Sequence, residues 1–402
     1  MTFFRSLSAA GFAATAISYG PARMRFGLFV PKFRQDFSLS SSSVGLLSAI
    51  GFSGFFVGLL VAQFLLHRRG PKHPVLSGLT LATVGLGVVS IAPNVTVLAL
   101  GVFLAATSAG FAWTPFNDAV HRKIRDVNRP TALSEISTGT SVGITLAGVA
   151  AFAMVVLGFQ WRICWALFAT ASAVALVANW VALRQVDKSP DPAPDGGWRD
   201  LLRPVSVPLF GIAFVFGVTS SIYISFAADH FSQRGLPGLP DGTTPAMVFI
   251  LYGIFGLAGL VTGRARNLVG LLWLLRLLLV TGALSLAFTT LLAGSWPGLV
   301  LSAGLQGVNV MMLSAILAFW SERLFPDLPS LSFTTVLLAM AAGSVAGPVL
   351  AGIGSDTLST GAMFLGASAL PLATAAILPA RIVQERPKAP RQPGIAQSMT
   401  EH

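Results

Sequence analysis

Three polar side chains recur at four-residue intervals near the start of the chain: Thr15, Tyr19 and Arg23. On a helix this spacing places all three on one face. A guanidinium presents paired N–H donors that match the two oxygens of a carboxylate, and a neighbouring hydroxyl can add a further hydrogen bond. We therefore predict that these residues bind an anionic group. The alternative is that Arg23 extends to a polar surface instead.

The residues between Tyr19 and Arg23 indicate a local change in the helix backbone, because they include Gly20 and Pro21. Proline removes one helical hydrogen bond, so we expect the helix to be kinked or loosened at this point. Arg25 lies about 200° around the helix from Arg23 and therefore cannot share its face.

A second stripe lies in the other half of the chain, where Thr219 and Tyr223 repeat the spacing of the first, and we predict that Tyr223 also binds substrate. Asp229 and His230 follow them, and an ionisable side chain in apolar surroundings is often a site of proton uptake and release. We predict that Asp229 and His230 couple function to protons. The alternatives are that Asp229 pairs with Arg23 or is a solvated residue at a helix end.

Further hydrogen-bonding groups occur on two other predicted helices. Thr138 and Ser141 belong to a run of hydroxyls, and Gln306 and Asn309 lie three residues apart near the middle of an apolar stretch. Uncharged amides in such surroundings are costly without a partner. We predict that these four residues bind substrate, with helix–helix packing as the alternative for the hydroxyls.

Charged residues near the ends of the apolar stretches form a third group of candidates. Asp118 lies four residues before Arg122, which predicts an ion pair on one helix. Glu135 follows the basic loop 125–129, and Arg68 and Arg69 lie in another basic loop. We predict that these five residues make gating contacts at one end of the helices.

The elements that must position these residues are long apolar stretches. The chain has 402 residues, of which 54% are hydrophobic and only 10% charged, whereas soluble domains are about 25% charged. A hydrocarbon core about 30 Å thick needs about 20 helical residues to cross it. The sequence predicts an all-α integral membrane protein with twelve such helices. They span 7–31, 43–66, 74–92, 95–121, 131–158, 161–183, 204–231, 244–264, 268–293, 296–321, 330–354 and 360–381.

The distribution of basic residues predicts the orientation of these helices. With the N-terminus inside, 19 Lys and Arg residues fall on the cytoplasmic side and 4 on the outer side. We therefore expect both termini in the cytoplasm and the protein in the plasma membrane, the inner membrane of a bacterium. The net charge of +11 is explained by these loops, so no nucleic-acid partner is predicted.

The chain divides into two six-helix bundles, 1–186 and 204–382. Between them, 187–203 is rich in proline and aspartate, which predicts a cytoplasmic linker, and 383–402 predicts a disordered cytoplasmic tail. An alternative for residues 5–20 is a cleaved signal peptide, because Arg5 precedes an apolar run of small residues. Its loss would leave an odd number of helices and place the basic loops outside.

Several chemistries are not predicted. The chain has one cysteine, Cys164, and five histidines without metal-ligand spacing, so we expect no metal and no cofactor. Neither a phosphate-binding loop nor a catalytic cluster of paired acids is present, which argues against an integral membrane enzyme.

Local motifs resemble those of the major facilitator superfamily. They are Leu66-His-Arg-Arg-Gly-Pro-Lys72, Phe159-Gln-Trp-Arg162, Gly343-Ser-Val-Ala-Gly-Pro-Val-Leu-Ala-Gly352 with Asp356, Tyr19-Gly-Pro-Ala-Arg23 with Pro31, and Gly110-Phe-Ala-Trp-Thr-Pro-Phe-Asn-Asp118. The last two are similar to a YbfB-like bacterial branch, near the monocarboxylate and cyanate-type permeases. The chain departs from drug–proton antiporters, because the fifth predicted helix has no Gly-Pro motif and Ala106 replaces an arginine.

The resemblance implies a secondary transporter that binds its substrate near the bilayer midplane, between two bundles that move by alternating access. Arg23 then favours a small organic anion such as a monocarboxylate, with proton coupling as a further expectation. The alternative is an exporter of drugs, sugars or other hydrophobic compounds. We expect a monomer whose other partner is the lipid bilayer.

Overall fold

The chain is built from α-helices, as the apolar stretches predict. The computed structural model describes residues 3–124, 128–186, 197–378 and 383, and this part contains no strand. The first half contains α1 (Phe3–Ile17), α2 (Arg25–Phe37), α3 (Ser41–Arg69), α4 (Lys72–Ser90), α5 (Val95–Gly110), α6 (Trp113–Lys123), α7 (Arg129–Val156) and α8 (Trp161–Ala182). The second contains α9 (Trp198–Leu201), α10 (Val207–Arg234), α11 (Thr244–Gly256), α12 (Thr262–Val269), α13 (Leu271–Leu291), α14 (Trp296–Leu324), α15 (Pro329–Thr357) and α16 (Thr360–Ile377).

Eleven helical segments of the described chain are long and apolar enough to cross a membrane. The predicted first helix is not among them. It is helical from Phe3 to Phe37, but a π-helical turn at Ser18–Met24 divides it into shorter helices of 15 and 13 residues. Five charged residues also lie between positions 23 and 36. Twelve membrane-spanning helices therefore remain a prediction.

Most helix bounds follow the predicted stretches closely. The predicted helices 95–121 and 244–264 are interrupted, the former at 111–112 and the latter by a 3-10 turn at Leu257–Val261, and the first predicted helix ends later than expected. The helix continues past the predicted end at 31 to Phe37. The added turn is held by two contacts, because Arg34 pairs with Asp229 and Asp36 accepts a hydrogen bond from Trp161 Nε1 at 2.8 Å. These partners allow charged residues to extend the helix beyond its apolar part.

The helices pack as two groups, which we name the N-terminal half (3–186) and the C-terminal half (197–378). In the first, α3 packs on α5, α5 on α4, α4 on α8, and α1 on α7. In the second, α10 packs on α15, and α13 packs on both α14 and α16. The halves meet where α3 contacts α15, α7 contacts α11, and α2 contacts α10. The predicted linker residues 187–196 and nearly all of the predicted tail lie outside the described residues.

Successive membrane-length stretches run in opposite directions when α1 and α2, α5 and α6, and α11 and α12 are each counted as one stretch, so the structure has two distinct ends. We name the end that carries Arg68, Lys123, Arg184 and Arg323 the basic end, and the other the opposite end. At the opposite end, glycines bring the backbones of the two halves into contact. A Cβ added at Gly27 would lie 1.7 Å from the Ile224 carbonyl oxygen.

Two further glycines make similar approaches at this end. A Cβ at Gly45 would lie 2.3 Å from the Pro348 carbonyl oxygen, and one at Gly148 would lie 2.9 Å from the Ala246 carbonyl oxygen. Small residues permit such close helix packing in membranes. The opposite end is therefore closed at three separate contacts between the halves.

Candidate functional site

A cavity of about 150 Å³ lies between the two halves. Its lining comes from the first helical stretch, α6, α7, α10, α14 and α15, and from the turn after α11. The polar lining residues are Tyr19, Arg23, Ser137, Thr140, Ser220 and Ser314. The larger apolar ones include Trp113, Phe216, Met311, Phe333, Leu337 and Met340. Most of these positions are nearer the basic end of their helices, so the cavity lies on that side of the opposite-end contacts.

Arg23 is the one charged side chain among the described residues that line this cavity. Its guanidinium carbon lies 4.0 Å from the ring centre of Phe55, 5.6 Å from that of Phe52 and 5.5 Å from that of Tyr19. Its Nε atom is buried without a hydrogen-bond partner, and no described carboxylate lies within 4.0 Å. Cation–π contacts hold the guanidinium in place but leave its hydrogen-bonding capacity unused.

The backbone that carries Tyr19 and Arg23 is a seven-residue π-helix, Ser18–Met24, with Pro21 inside it. Pro21 has no N–H to donate, so one helical hydrogen bond is missing and the backbone widens into a π-helix. This is where Gly20 and Pro21 predict a loosened helix. The close approach of α7 fixes this turn, because a Cβ at Gly20 would lie 2.6 Å from the Gly143 carbonyl oxygen. The position of the guanidinium is thus set by backbone packing as well as by aromatic rings.

Four other predicted substrate-binding residues lie outside this cavity lining. The Thr15 hydroxyl donates to the Ile136 carbonyl oxygen at 2.7 Å and ties the first helix to α7. Thr138 donates to the Ser134 carbonyl oxygen of its own helix at 2.8 Å. Ser141 is buried against Gly256, and Ser302 donates to the Tyr223 hydroxyl at 3.2 Å. These four side chains contribute to helix packing in this conformation.

The two amides of α14 also lie outside the cavity lining. Gln306 and Asn309 are 1% and 3% exposed, and the Asn309 side chain packs against Gly282 of α13. Their amide oxygens have no hydrogen-bond partner. The hydroxyls of α7 that line the cavity are instead Ser137 and Thr140, which are not among the residues predicted from the sequence. Hydroxyls occur on several faces of α7, so their spacing alone could not identify the cavity face.

Asp229 pairs with Arg34 and not with Arg23, which corrects the pairing that the sequence suggested as an alternative. The Asp229 Oδ2 to Arg34 Nε distance is 2.9 Å, and Gln233 donates to the same oxygen at 3.1 Å. Asp229 is buried, whereas a solvated helix end was the other alternative. His230 is buried beside it, with a ring contact to Phe364 at 5.6 Å and no hydrogen bond at either nitrogen.

The ion pair of Arg34 and Asp229 joins the two halves at the opposite end, so Asp229→Asn is expected to weaken closure there. Removing one partner of a fully buried ion pair costs several kcal/mol. We expect the closed state to lose about 1–3 kcal/mol of stability here, because ion pairs that are partly exposed contribute less. The side chain of Arg34 is 22% exposed. Spin labels at Gln35→Cys and Leu358→Cys would report this as a shift toward longer distances. Cys164 is buried and should not compete for label.

The exposed Asp241 has no described hydrogen bond or ion pair, so Asp241→Asn provides the matched control for this experiment. It should leave the distance distribution unchanged. Identical distance distributions for Asp229→Asn and for the protein that keeps Asp229 would show that the Arg34–Asp229 pair does not hold this end closed.

The predicted gating residues lie at the basic end. The Asp118–Arg122 ion pair is present, with Arg122 Nε 2.6 Å from Asp118 Oδ2. Arg68 and Arg69 are exposed, and the Arg68 guanidinium lies 4.3 Å from the ring centre of Phe64. Glu135 is exposed and makes no hydrogen bond or ion pair with a described residue. Arg125 lies outside the described residues.

Two further contacts between the halves were not selected from the sequence. Asp356 of α15 accepts hydrogen bonds from the backbone N–H of Ser41 at 3.1 Å and of Ser42 at 2.8 Å, and so caps the start of α3. A carboxylate at a helix N-terminus is favoured by the helix dipole and the free N–H groups. At the basic end, Thr334 donates to Gln63 Oε1 at 3.2 Å.

The described residues hold no group of three or more His, Cys, Asp or Glu side chains able to bind a metal ion. The arrangement is thus a cavity between two helical halves, with one cationic side chain in its described lining, closed at one end by glycine contacts and the Arg34–Asp229 ion pair.

The chain belongs to the major facilitator superfamily, whose family model matches residues 7–275. It is 27% identical over 197 residues to monocarboxylate transporter 13 of Rattus norvegicus. That match covers 47% of this chain and 44% of the rat protein, so it spans less than half of either.

Solved transporters share the fold. A bacterial homologue of the human lysosomal transporter Spinster, inward-facing and unoccupied, aligns with a TM-score of 0.69 at 15% identity over 94% of this chain and 95% of its own. A mutant of the nucleoside transporter NupG aligns with a TM-score of 0.70 at 13% identity, over 93% of this chain and 98% of its own. A POT family transporter in complex with 5-aminolevulinic acid aligns with a TM-score of 0.75 at 14% identity, over 93% of this chain and 95% of its own. These likenesses concern the fold. Membership of the major facilitator superfamily, together with the eleven long apolar helices of the described chain, makes this chain a multi-pass membrane transporter of small molecules rather than an enzyme.

Proposed function

We propose that this transporter carries a small organic anion, such as a monocarboxylate, between the two sides of the plasma membrane by alternating access. The observation that carries the proposal is Arg23. It is the sole charged side chain in the described cavity lining and has no carboxylate partner there. A cation in such surroundings is stabilised by an anion that binds beside it.

The rest of the lining supports an anion with an apolar body. Phe216, Met311, Phe333 and Leu337 offer apolar contacts, while Tyr19 offers a hydroxyl next to Arg23. A second carboxylate on the ligand would find no second cation among the described lining residues. A monocarboxylate with an apolar side group therefore fits this cavity better than a dicarboxylate. The partial similarity to the rat monocarboxylate transporter points the same way.

The alternating-access part of the proposal rests on the two ends of the structure. The opposite end is closed by Gly27, Gly45 and the Arg34–Asp229 pair, while the cavity lies toward the basic end. With the basic end in the cytoplasm, as the positive-inside rule predicts, the described conformation is closed to the outside. The proposal includes twelve membrane-spanning helices, cytoplasmic termini and a monomeric protein.

Proton coupling is proposed through Asp229 and His230 at the closed end. Protonation of Asp229 would remove its charge and break the ion pair with Arg34. Because that pair joins the two halves, its loss would favour an outward-open state. His230, with two buried nitrogens that have no partner, is the adjacent group able to exchange a proton.

The second candidate function is export of hydrophobic compounds, including drugs, and the apolar lining favours it. Phe216, Val310, Met311, Phe333 and Met340 give a surface that could bind such compounds without any charge. In that case Arg23 would serve packing with its aromatic neighbours rather than ligand binding.

The thermal stability of the purified protein against a ligand panel separates these functions. The panel contains lactate, pyruvate, benzoate and phenylacetate, the neutral amide benzamide, several sugars and cationic drugs. A ligand at 100 times its Kd adds about 2.7 kcal/mol to the folded state. We expect carboxylates to raise the melting temperature and benzamide, sugars and cations not to do so. Stabilisation by cations or sugars but by no carboxylate would favour the exporter.

A further inference from the structure

A second cavity, of about 10 Å³, lies next to the one described above. We name it the small cavity and the other the central cavity. Arg23 and Ile224 line both, whereas Gly27 and Ser48, which are nearer the opposite end of their helices, line only the small one. Gly27 also makes the closing contact with the Ile224 carbonyl oxygen. The small cavity therefore lies between Arg23 and a contact that closes the opposite end.

Two serine hydroxyls that line the small cavity have no hydrogen-bond partner among the described residues. Ser48 of α3 and Ser225 of α10 are 3% and 2% exposed, and the hydroxyl oxygen of each is buried. Buried polar atoms in folded proteins are nearly always hydrogen-bonded. Arg23 adds a third unused group to this cavity, because its Nε atom is buried without a partner. Three side chains with unused donors thus line one small space.

The unused hydroxyls differ from those of other serines on the same two helices. A serine within a helix commonly donates to a backbone carbonyl oxygen of the preceding turn. Ser221 of α10 does so at 2.9 Å, and Ser53 of α3 does so at 2.7 Å. Ser48 and Ser225 make no such bond. Their hydroxyls therefore remain available to a guest in the cavity that both residues line.

The size of the small cavity and the donors around it define this guest. A water molecule needs about 10–15 Å³ of cavity volume, so the small cavity admits one water-sized group and not a whole organic molecule. Two hydroxyls and a guanidinium favour an oxygen that carries negative charge. One oxygen of a carboxylate meets both conditions. Because Arg23 borders both cavities, the rest of the anion can lie in the central one.

We propose that Ser48 and Ser225 donate hydrogen bonds to one oxygen of the substrate carboxylate that Arg23 binds, while the apolar body of the substrate lies in the central cavity. This inference rests on the proposed function and adds two binding residues to it. The two oxygens of a carboxylate accept about four hydrogen bonds, so they can bind two hydroxyls and a guanidinium together. A neutral amide offers a weaker acceptor, so these donors increase selectivity for carboxylates.

A carboxylate bound in this way links the two halves, because Ser48 belongs to the N-terminal half and Ser225 to the C-terminal half. The link lies next to the contact of Gly27 with Ile224. A ligand shifts a conformational equilibrium only through a difference in affinity between the states. Both serines reach the same oxygen only when the halves are together at this end. Bound substrate therefore stabilises the state in which the opposite end is closed.

The test compares Ser225→Ala with Ser221→Ala, at two buried serines one turn apart on α10. Kd values for benzoate and phenylacetate are measured by calorimetry on the full-length purified protein, with benzamide as the uncharged probe. Loss of one hydrogen bond to a charged acceptor should weaken carboxylate binding by about tenfold in Ser225→Ala, and likewise in Ser48→Ala. Ser221→Ala should bind carboxylates as tightly as the unsubstituted protein, because Ser221 lines neither cavity and its hydroxyl is engaged within α10.

The melting temperature without ligand separates a binding role from a packing role. Because the Ser225 hydroxyl makes no hydrogen bond with a described residue, Ser225→Ala should melt at the same temperature as the unsubstituted protein or higher. A lower melting temperature, with benzoate and benzamide binding weakened equally, would mark a packing role and overturn the inference.

The remaining outcomes separate this inference from the proposed function. Carboxylate affinity that is lost in Arg23→Gln but unchanged in Ser48→Ala and Ser225→Ala would overturn the role of the serines and leave the anion site intact, with a water molecule as the guest of the small cavity. Equal weakening in Ser225→Ala and Ser221→Ala would also overturn it. If no carboxylate binds the unsubstituted protein, the proposed function fails, and this inference fails with it.

Discussion

Arg23→Gln is expected to weaken carboxylate binding by about 30-fold to 4,000-fold, because truncating one partner of a buried, hydrogen-bonded charge pair costs about 2–5 kcal/mol. Glutamine keeps a polar group and much of the length, so the cavity keeps its shape. It loses the positive charge and the planar pair of N–H donors. Thermal shifts and calorimetry with the panel carboxylates measure this loss.

Arg23→Lys distinguishes charge from geometry at the same position. Lysine keeps the charge, but it lacks the flat guanidinium that lies 4.0 Å from the ring centre of Phe55 and presents paired donors. We expect carboxylate affinity between those of the unsubstituted protein and Arg23→Gln. Equal affinity in Arg23→Lys and Arg23→Gln would show that the paired donors, and not the charge alone, carry recognition.

Arg276→Gln is the matched control. Arg276 is also an arginine within a membrane-spanning helix beside an aromatic ring, 5.1 Å from the centre of Trp273. It lies outside the cavity lining and donates to the Leu378 carbonyl oxygen at 2.7 Å. Its replacement should leave carboxylate affinity unchanged. If Arg276→Gln reduces affinity as much as Arg23→Gln, the assignment of the anion site to Arg23 is wrong.

Gly27→Val is expected to prevent closure of the opposite end and to abolish transport while the protein still folds. A Cβ at this position would lie 1.7 Å from a backbone carbonyl oxygen of α10, which cannot move as a side chain can. Ordinary overpacking costs about 1–3 kcal/mol. This contact is between two backbones, which cannot move apart as side chains can. A difference of about 5.5 kcal/mol is enough to reverse a 99:1 ratio of closed to open protein.

The measurement for Gly27→Val is the distance between spin labels at Gln35→Cys and Leu358→Cys, with transport measured in parallel. The distribution should move to longer distances, and substrate exchange should fall below detection. Two glycines serve as comparisons. A Cβ at Gly87 meets nothing within 4 Å, so Gly87→Val should behave as the unsubstituted protein. Gly54 contacts Phe103 within its own half, so Gly54→Val should lower stability without opening the interface.

Unchanged distances in Gly27→Val would contradict the assignment of closure to this contact. Lower stability in Gly27→Val, equal to that of Gly54→Val, would show that α2 and α10 form a permanent packing contact. The two glycines are well matched because both approach a backbone carbonyl oxygen. They differ in whether that oxygen belongs to the same half of the chain.

Much of the fold follows from the sequence because hydrophobicity and charge act locally. The apolar stretches predict most helix ends to within a few residues. The exceptions are the first helix, which Arg34 and Asp36 extend through tertiary contacts, and the predicted helices 95–121 and 244–264, which are interrupted. Proline and glycine beside Tyr19 predict a loosened helix, and the structure has a π-helix there. The four-residue spacing of Tyr19 and Arg23 predicts a shared face, and both line the cavity.

The contacts between distant helices could not be predicted in the same way. Asp229 pairs with Arg34, which lies about 16 Å further along the helix than Arg23 at 1.5 Å per residue. Sequence spacing does not fix how far α10 is displaced along α2, so either arginine was a possible partner.

The most direct test of the central claim is uptake by the purified protein in liposomes. The vesicles are loaded with the carboxylate that stabilises the protein most, and the same compound is added outside in labelled form. We predict that labelled carboxylate accumulates by exchange, that its neutral amide is not carried, and that the accumulation is absent with Arg23→Gln. Exchange of the amide or of a cation at an equal rate, unaffected by Arg23→Gln, would contradict transport of an anion through this site.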